Sequence, residues 1–295
     1  MKLLDRCRER CRQAPQRIVF PDACDARLLH AATQVMTIMS ARIRRHMDDE
    51  VKRQRLEEEL AIGRQIQLTF LPDHDPIING YDVSGINMPS GDVGGDYYDF
   101  ISIVENQTGI TIADVSGKGI PAALIMASFR ASLLAEIRNN YAIRTICKKV
   151  NSLLHESVER DTFVTAFYGV LDSKNNVLTF SNCGHNRPVL LKHDGSIEFL
   201  KEGGLALGVL PDTDYEEHAI FLEPGDLIVF YTDGVTEVND GSGREFGQEG
   251  LIRALKEHRD SSSRDIHRNL IEQVRGYASP DHVFDDLTVV VLKKL

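Results

Sequence analysis

Beyond Asn79-Gly80 the chain changes texture, and that change constrains its fold more than any other feature: short β-rich runs alternate with turn signals up to the carboxyl end. The runs predict strands over residues 81–87, 97–104, 109–115, 164–171, 177–182, 188–192, 218–222, 227–231 and 287–292. Turns at Ser173-Lys-Asn-Asn176 and His193-Asp-Gly195 make several of them antiparallel hairpins. Helices are expected over 121–139, where Pro121 suits a first helical position, over 144–158, and within 250–278. They come in pairs between groups of strands. This order predicts an α+β fold: a four-layer α-β-β-α sandwich of two mainly antiparallel sheets flanked by helix pairs, rather than a doubly wound parallel sheet.

Upstream, residues 41–71 are dense in charge and free of proline, with Ile43, Met47, Val51, Leu56, Leu60 and Ile66 at mostly helical intervals. A long amphipathic helix, ended by Pro72, follows. It serves either as a solvated connector or as one strand of a coiled coil; the heptad register is imperfect, and the balance leans towards a homodimer through residues 41–71. Residues 1–40 form a short extension, too small to bury a core alone. The expected organisation is therefore an extension over 1–40, a linker or dimerisation helix over 41–72, and one folded domain over 73–295.

Charge narrows the function classes. Among 295 residues, 44 acidic against 34 basic side chains give a net charge of -10, which argues against general affinity for nucleic acid or anionic membrane. No apolar run reaches the roughly 20 residues of a spanning helix; the best stretch, residues 122–137, is broken by Arg130 and Glu136. The opening MKLLDRCRERCR carries charge where a signal peptide would be apolar, so a cytoplasmic location without membrane contact is expected. Cys7, Cys11, Cys24, Cys147 and Cys183 contain no CxxC pair, which suggests neither a disulfide framework nor a zinc ribbon.

Acidic residues stand at the ends of the expected strands, each beside glycine or a turn: Gly94-Gly95-Asp96-Tyr-Tyr-Asp99, Asp114-Val-Ser-Gly-Lys-Gly119, Tyr231-Thr-Asp233-Gly234 and Asp285-Asp286-Leu-Thr288. Any one of these alone reads more readily as a turn than as a ligand. Together they carry more weight, because packed carboxylates are costly unless cations neutralise them. Mg2+ and Mn2+ prefer oxygen ligands, and two such ions about 4 Å apart share a hydroxide and clamp phosphoryl oxygens.

The segments VGGDYYDF, ADVSGKGIPAAL, FVTAFYGVLD, GHN, YTDGVTE and DDLTVVV, in this order, resemble the motifs of the SpoIIE/RsbU branch of the metal-dependent protein phosphatases, relatives of the eukaryotic type 2C enzymes. The resemblance covers roughly residues 60–295 and includes LAIGRQIQLTFLP at the end of the long helix. It implies two divalent cations, Mn2+ or Mg2+. Asp114 would bridge both, the Val115 carbonyl and Asp96 would hold one, and Asp233 and Asp285 would complete the shell of the other. Asp114 and Asp233 would act catalytically through the hydroxide between the ions. The implied reaction is hydrolysis of phosphoserine or phosphothreonine on a protein. The implied substrate is a phosphorylated anti-sigma-factor antagonist with a STAS fold in a bacterial partner-switching pathway, with an upstream activator protein.

Other residues keep two readings. Asp99 is an outer partner of the cations or a turn residue. Lys118 attracts phosphate or, with modest preference, is solvated. His185 is a general acid or, with the edge, a structural hydrogen-bonding group. Asp286 is the neighbour most easily confused with Asp285, and Asp92 more readily ends a strand than holds a further cation. Where type 2C enzymes carry histidine after the bridging aspartate, Ser116 and Gly117 follow Val115, and Pro89-Ser-Gly-Asp92-Val93 also departs from the family pattern. A noncatalytic binding protein on the phosphatase fold is the alternative function. RIVFPDACDARLLHAA resembles the opening of phosphate acetyl- and butyryltransferases, but the chain is too short for their catalytic domain.

Overall fold

The computed structural model describes residues 26–158, 161–280 and 284–295. Cys7, Cys11, Cys24 and most of the acyltransferase-like stretch lie outside the described residues. Two compact units divide the chain, one ending at Glu59 and one spanning Leu60–Leu295.

The first helix, α1 (Ala26–Leu68), runs without a break at residue 40, so it starts well before the helix expected over 41–71. Nothing in this stretch is a strong helix breaker. Within the first unit, Ile43, Met47, Val51 and Leu56 are all exposed, and Arg53 pairs with Glu50 and Glu57 one turn away on either side.

Among the described residues, the second unit holds eleven strands and four further α-helices after the end of α1. In chain order they are β1 (Tyr81–Met88), β2 (Tyr97–Val104), β3 (Gln107–Val115), α2 (Ile120–Asn139), α3 (Ile143–Ser157), β4 (Val164–Asp172) and β5 (Val177–Cys183). There follow β6 (Val189–Leu191), β7 (Ile197–Phe199), β8 (Gly203–Gly204), β9 (His218–Phe221), β10 (Leu227–Tyr231), α4 (Gly247–His258), α5 (Ser263–Tyr277) and β11 (Leu287–Lys294). The first sheet has the order β1-β11-β10-β6-β7, antiparallel throughout. The second has the order β2-β3-β4-β5, with β9 antiparallel and β8 parallel along the outer edge of β5.

Side-chain alternation builds the layers. Ile110 and Ile112 of β3, Phe167 of β4, Ile228 and Phe230 of β10, and Val290 and Leu292 of β11 meet in one core between the sheets. The opposite parity, Ala113, Val115 and Tyr168, packs under α2 and α3 with Met126, Phe129, Ile146 and Val150. Val229, Val289 and Val291 do the same under α4 and α5 with Leu251, Leu255, Leu270 and Val274. The result is the expected four-layer α-β-β-α sandwich. By length and composition α2 would suffice to cross a membrane; its Met126, Phe129 and Leu133 are buried against the second sheet, and Arg130 donates to the Phe70 carbonyl. The stretch 250–278 resolves into two helices, the second capped by Ser262, whose hydroxyl oxygen accepts from the Asp265 N–H. β7 and β8 were not expected; both are too short for a periodic signal.

Candidate metal centre

Continuing the alternation by one step places polar side chains at one end of the inter-sheet core. Asp114 follows Ile110 and Ile112 in parity, Asp96 precedes Tyr98, Thr232 follows Ile228 and Phe230, and Thr288 precedes Val290 and Leu292. Two carboxylates from the second sheet thereby face two hydroxyls from the first. Asp233 lies on the 3-10 turn Asp233–Val235 after β10, and Asp285 just before β11.

Asp96 is 3% exposed, and its Oδ2 accepts hydrogen bonds from Thr232 Oγ1 at 2.8 Å and Thr288 Oγ1 at 2.5 Å. Burial, followed by the charge of Asp114, pushes its carboxyl well above the usual range. Burial, with Asp233, Asp285 and Asp286 nearby, pushes Asp114 up to about 7, while contact with Asp96 acts the other way. Asp233 is raised by burial and then by Asp285. Asp114 is thus the acid on which the others converge. Asp285 Oδ2 accepts from Lys118 Nζ at 2.7 Å, an exposed pair. Lys118 is thus largely solvated, as favoured, while its ammonium touches the edge of the cluster through Asp285.

Asp286 does different work from Asp285. Its Oδ1 accepts from the backbone N–H and hydroxyl of Ser90, at 2.7 and 2.8 Å, and its Oδ2 from the Gly95 N–H at 2.8 Å. It ties the loop before β2 to the start of β11. A Cβ at Gly95 would stand 2.9 Å from the Val115 carbonyl oxygen, so glycine there allows the loop to lie against that carbonyl. Gly117 and Gly119 have φ of 97° and 73° with open space where a Cβ would be. Glycine is favoured at both by this positive-φ backbone.

The remaining candidates lie apart from the carboxylates' mutual contacts. Asp99 accepts from Tyr97 Oη at 2.7 Å and sits 4.0 Å from Arg130, which makes it an anchor of β2 on α2. Asp92 is exposed. His185 is 4% exposed, its Nδ1 is 3.0 Å from Thr165 Oγ1, and burial lowers its pKa to about 4. Its burial and its contact with Thr165 favour the structural reading. Cys147 and Cys183 are buried in the core under α2 and α3.

The donor set suits hard divalent cations: oxygen ligands only, crowded, and in Asp96, Asp114 and Asp233 raised by burial first and by neighbouring carboxylates second. No group of three His, Cys, Asp or Glu side chains is closed to ligand geometry among the described residues; Lys118, Thr232, Thr288, Ser90 and backbone N–H groups occupy much of the carboxylate valence. Thr232, Thr288 and Asn87, whose Nδ2 donates to Thr288 Oγ1 at 2.8 Å, were not among the expected site residues. Strand parity was the available signal for the threonines.

The family profile of Stage II sporulation protein E (SpoIIE) matches residues 105–294. Phosphoserine phosphatase RsbU of Bacillus subtilis (strain 168) is 30% identical over 242 residues, covering 82% of this chain and 71% of that protein. The chain spans 44% and 56% of two further curated relatives. The SiaA-PP2C domain of Pseudomonas aeruginosa shares the fold with a TM-score of 0.74 at 20% identity, over 82% of this chain and 98% of that one. The catalytic domain of serine threonine protein phosphatase PstP, solved with two manganese ions, has a TM-score of 0.54 at 16% identity, over 72% and 97%.

Proposed function

The chain belongs to the SpoIIE family, and on that premise we propose that it is a divalent-metal-dependent protein phosphatase hydrolysing phosphoserine or phosphothreonine on a partner protein. One observation carries the reading: Asp96, Asp114, Asp233 and Asp285, separated by up to 189 positions in the chain, act on one another at one end of the inter-sheet core. Two ions, Mn2+ or Mg2+, are the proposed occupants. Asp114, on which the other charges bear, would be shared between them; Asp96 and the Val115 carbonyl would hold one, and Asp233 and Asp285 the other.

When bound, the cations supply charge neutralisation and an activated water for in-line attack on phosphorus. The chain supplies the placement. Strand ends aim the acids, Asp286 fixes the loop that carries Asp96, and the exposed Lys118 ammonium, paired with Asp285, adds a positive charge at the edge of the cluster. His185 is buried beside Thr165, which supports a structural role, and the proposal assigns it no proton transfer. Neither buried cysteine serves as a nucleophile.

The proposed substrate is a phosphorylated anti-sigma-factor antagonist of the STAS type in a partner-switching pathway, acting in the cytoplasm with an upstream activator; the likeness to RsbU supports it. The test is Mn2+-dependent phosphate release from such a phosphoprotein by the wild-type chain, Asp114→Asn and Asp233→Asn. Activity abolished by chelator and by either substitution is expected. A folded, Mn2+-loaded wild-type chain that stays inactive with substrate and activator both present would leave the noncatalytic reading.

A further inference from the structure

Asp96 stands on the second sheet, yet its hydrogen bonds come from the first. Thr232, at the end of β10, and Thr288, on β11, reach across the mouth of the inter-sheet core to the same oxygen, Oδ2. The direction of these bonds is set by groups that can only donate. The Thr288 backbone N–H donates to Thr232 Oγ1 at 3.0 Å, which leaves the Thr232 hydroxyl hydrogen to point at Asp96. The Asn87 amide donates to Thr288 Oγ1 at 2.8 Å and turns that hydroxyl hydrogen towards Asp96 in the same way. Asn87 and Thr288 are directly opposite each other in the β1–β11 pairing, so the relay is built on ladder register.

Each hydroxyl has one hydrogen, and Oδ2 is the nearest acceptor of both; the Asp286 carbonyl stands farther from Thr232 Oγ1, at 3.5 Å. The carboxylate plane is held from one side, and Oδ1 is the oxygen left for the rest of the cluster, where Asp114 is in contact with Asp96. All four side chains sit on the inter-sheet face, with Asp96, Thr232 and Thr288 buried. Hydroxyls at these depths are placed by the fold, since rotating either away would leave it without water to bond.

We propose that Thr288 and Thr232 are positioning residues for Asp96, with Asn87 orienting the Thr288 hydroxyl, so that one carboxylate oxygen is locked and the other presented to a divalent cation. This rests on the phosphatase reading above. Partners that orient a metal ligand affect affinity by about 10–100-fold when lost.

The experiment measures Mn2+ binding to the full chain by calorimetry, alongside melting temperature and phosphate release. Thr288→Val is expected to weaken Mn2+ binding about 10-fold or more, Thr288→Ser to restore it, and Asn87→Leu to weaken it by less. Asn87→Leu added to Thr288→Val is expected to change little further, because the amide then has no hydroxyl to turn. Thr232→Val, expected to weaken Mn2+ binding like Thr288→Val, carries the test should Thr288→Val fail to fold. Folded threonine variants with wild-type Mn2+ affinity overturn the proposal alone. A wild-type chain that neither binds Mn2+ nor releases phosphate overturns the functional reading and the proposal with it.

Discussion

The side chain of Gln67 satisfies both backbone groups of Gly94: its Nε2 donates to the Gly94 carbonyl at 2.6 Å, and the Gly94 N–H donates to its Oε1 at 3.1 Å. The last turn of α1 thereby pairs with the chain two residues before Asp96, as a neighbouring strand would. On the other side of the same loop, Asp286 accepts from the Gly95 N–H. The peptide that delivers Asp96 is gripped from both flanks.

Gln67→Leu removes both bonds and leaves the Gly94 backbone groups, in a buried residue, without partners. The expected cost is about 1–3 kcal/mol of stability, the penalty of unpaired backbone groups. Mn2+ affinity should fall as well, because the loop carrying Asp96 loosens. Gln67→Glu keeps an acceptor for the Gly94 N–H but loses the donor to the carbonyl, and should fall between the two. Chemical denaturation and Mn2+ titration of the three chains check this, and equal Mn2+ affinity in all of them would show that the grip does not reach Asp96.

The carboxylate cluster makes stability depend on pH with a definite sign. Asp114 is pushed up to about 7, so the folded chain holds its proton more tightly than the unfolded chain does. Without cations, this contribution is fully present below the unfolded carboxylate value of about 3.9 and is lost as pH rises towards 7. Asp96 and Asp233 are raised too and act in the same direction. The loss amounts to a few kcal/mol as an order of magnitude. In chelator, the melting temperature should therefore decline more steeply between about pH 4 and pH 7 for the wild-type chain than for Asp114→Asn. Mn2+ should flatten or reverse that slope and release protons on binding, which calorimetry in two buffers of different ionisation enthalpy measures.

His185 is expected to matter to the fold and not to the proton inventory of the reaction. Its Nδ1 lies beside Thr165 Oγ1, which also bonds the Asp114 carbonyl at 3.4 Å. His185→Gln should cost about 1–3 kcal/mol of stability through that buried contact. The rate should fall by less than the roughly 100-fold minimum of a lost general acid, and the pH-rate profile should keep both limbs. Loss of one limb in the variant would return His185 to a catalytic role.

Much of this molecule was legible in its order of residues. The nine strands expected from apolar runs are all present to within a few residues, because each has enough turns and β-branched side chains to announce itself. The pairing of helices between strand groups was sufficient for the four layers. β7 and β8, of three and two residues, exist only because neighbours supply their partners. The continuity of α1 through residue 40 was hidden by a change in charge pattern that the backbone ignores.

The candidate acids stood out in the sequence for a local reason: carboxylates beside glycines or turns at strand ends are a short-range pattern, and Asp96, Asp114, Asp233 and Asp285 each display it. What holds them was not. Asp96 is bonded to residues 136 and 192 positions away, and Gly94 to one 27 positions back. Local periodicity says which face of its own strand a residue occupies. It says nothing about which residue of another sheet will stand opposite. The sequence by itself determined the layers and put the candidate acids at strand ends; the packing of one sheet on the other decided that Thr232 and Thr288 would meet Asp96, that Lys118 would meet Asp285, and that Asp286 would tie down a loop.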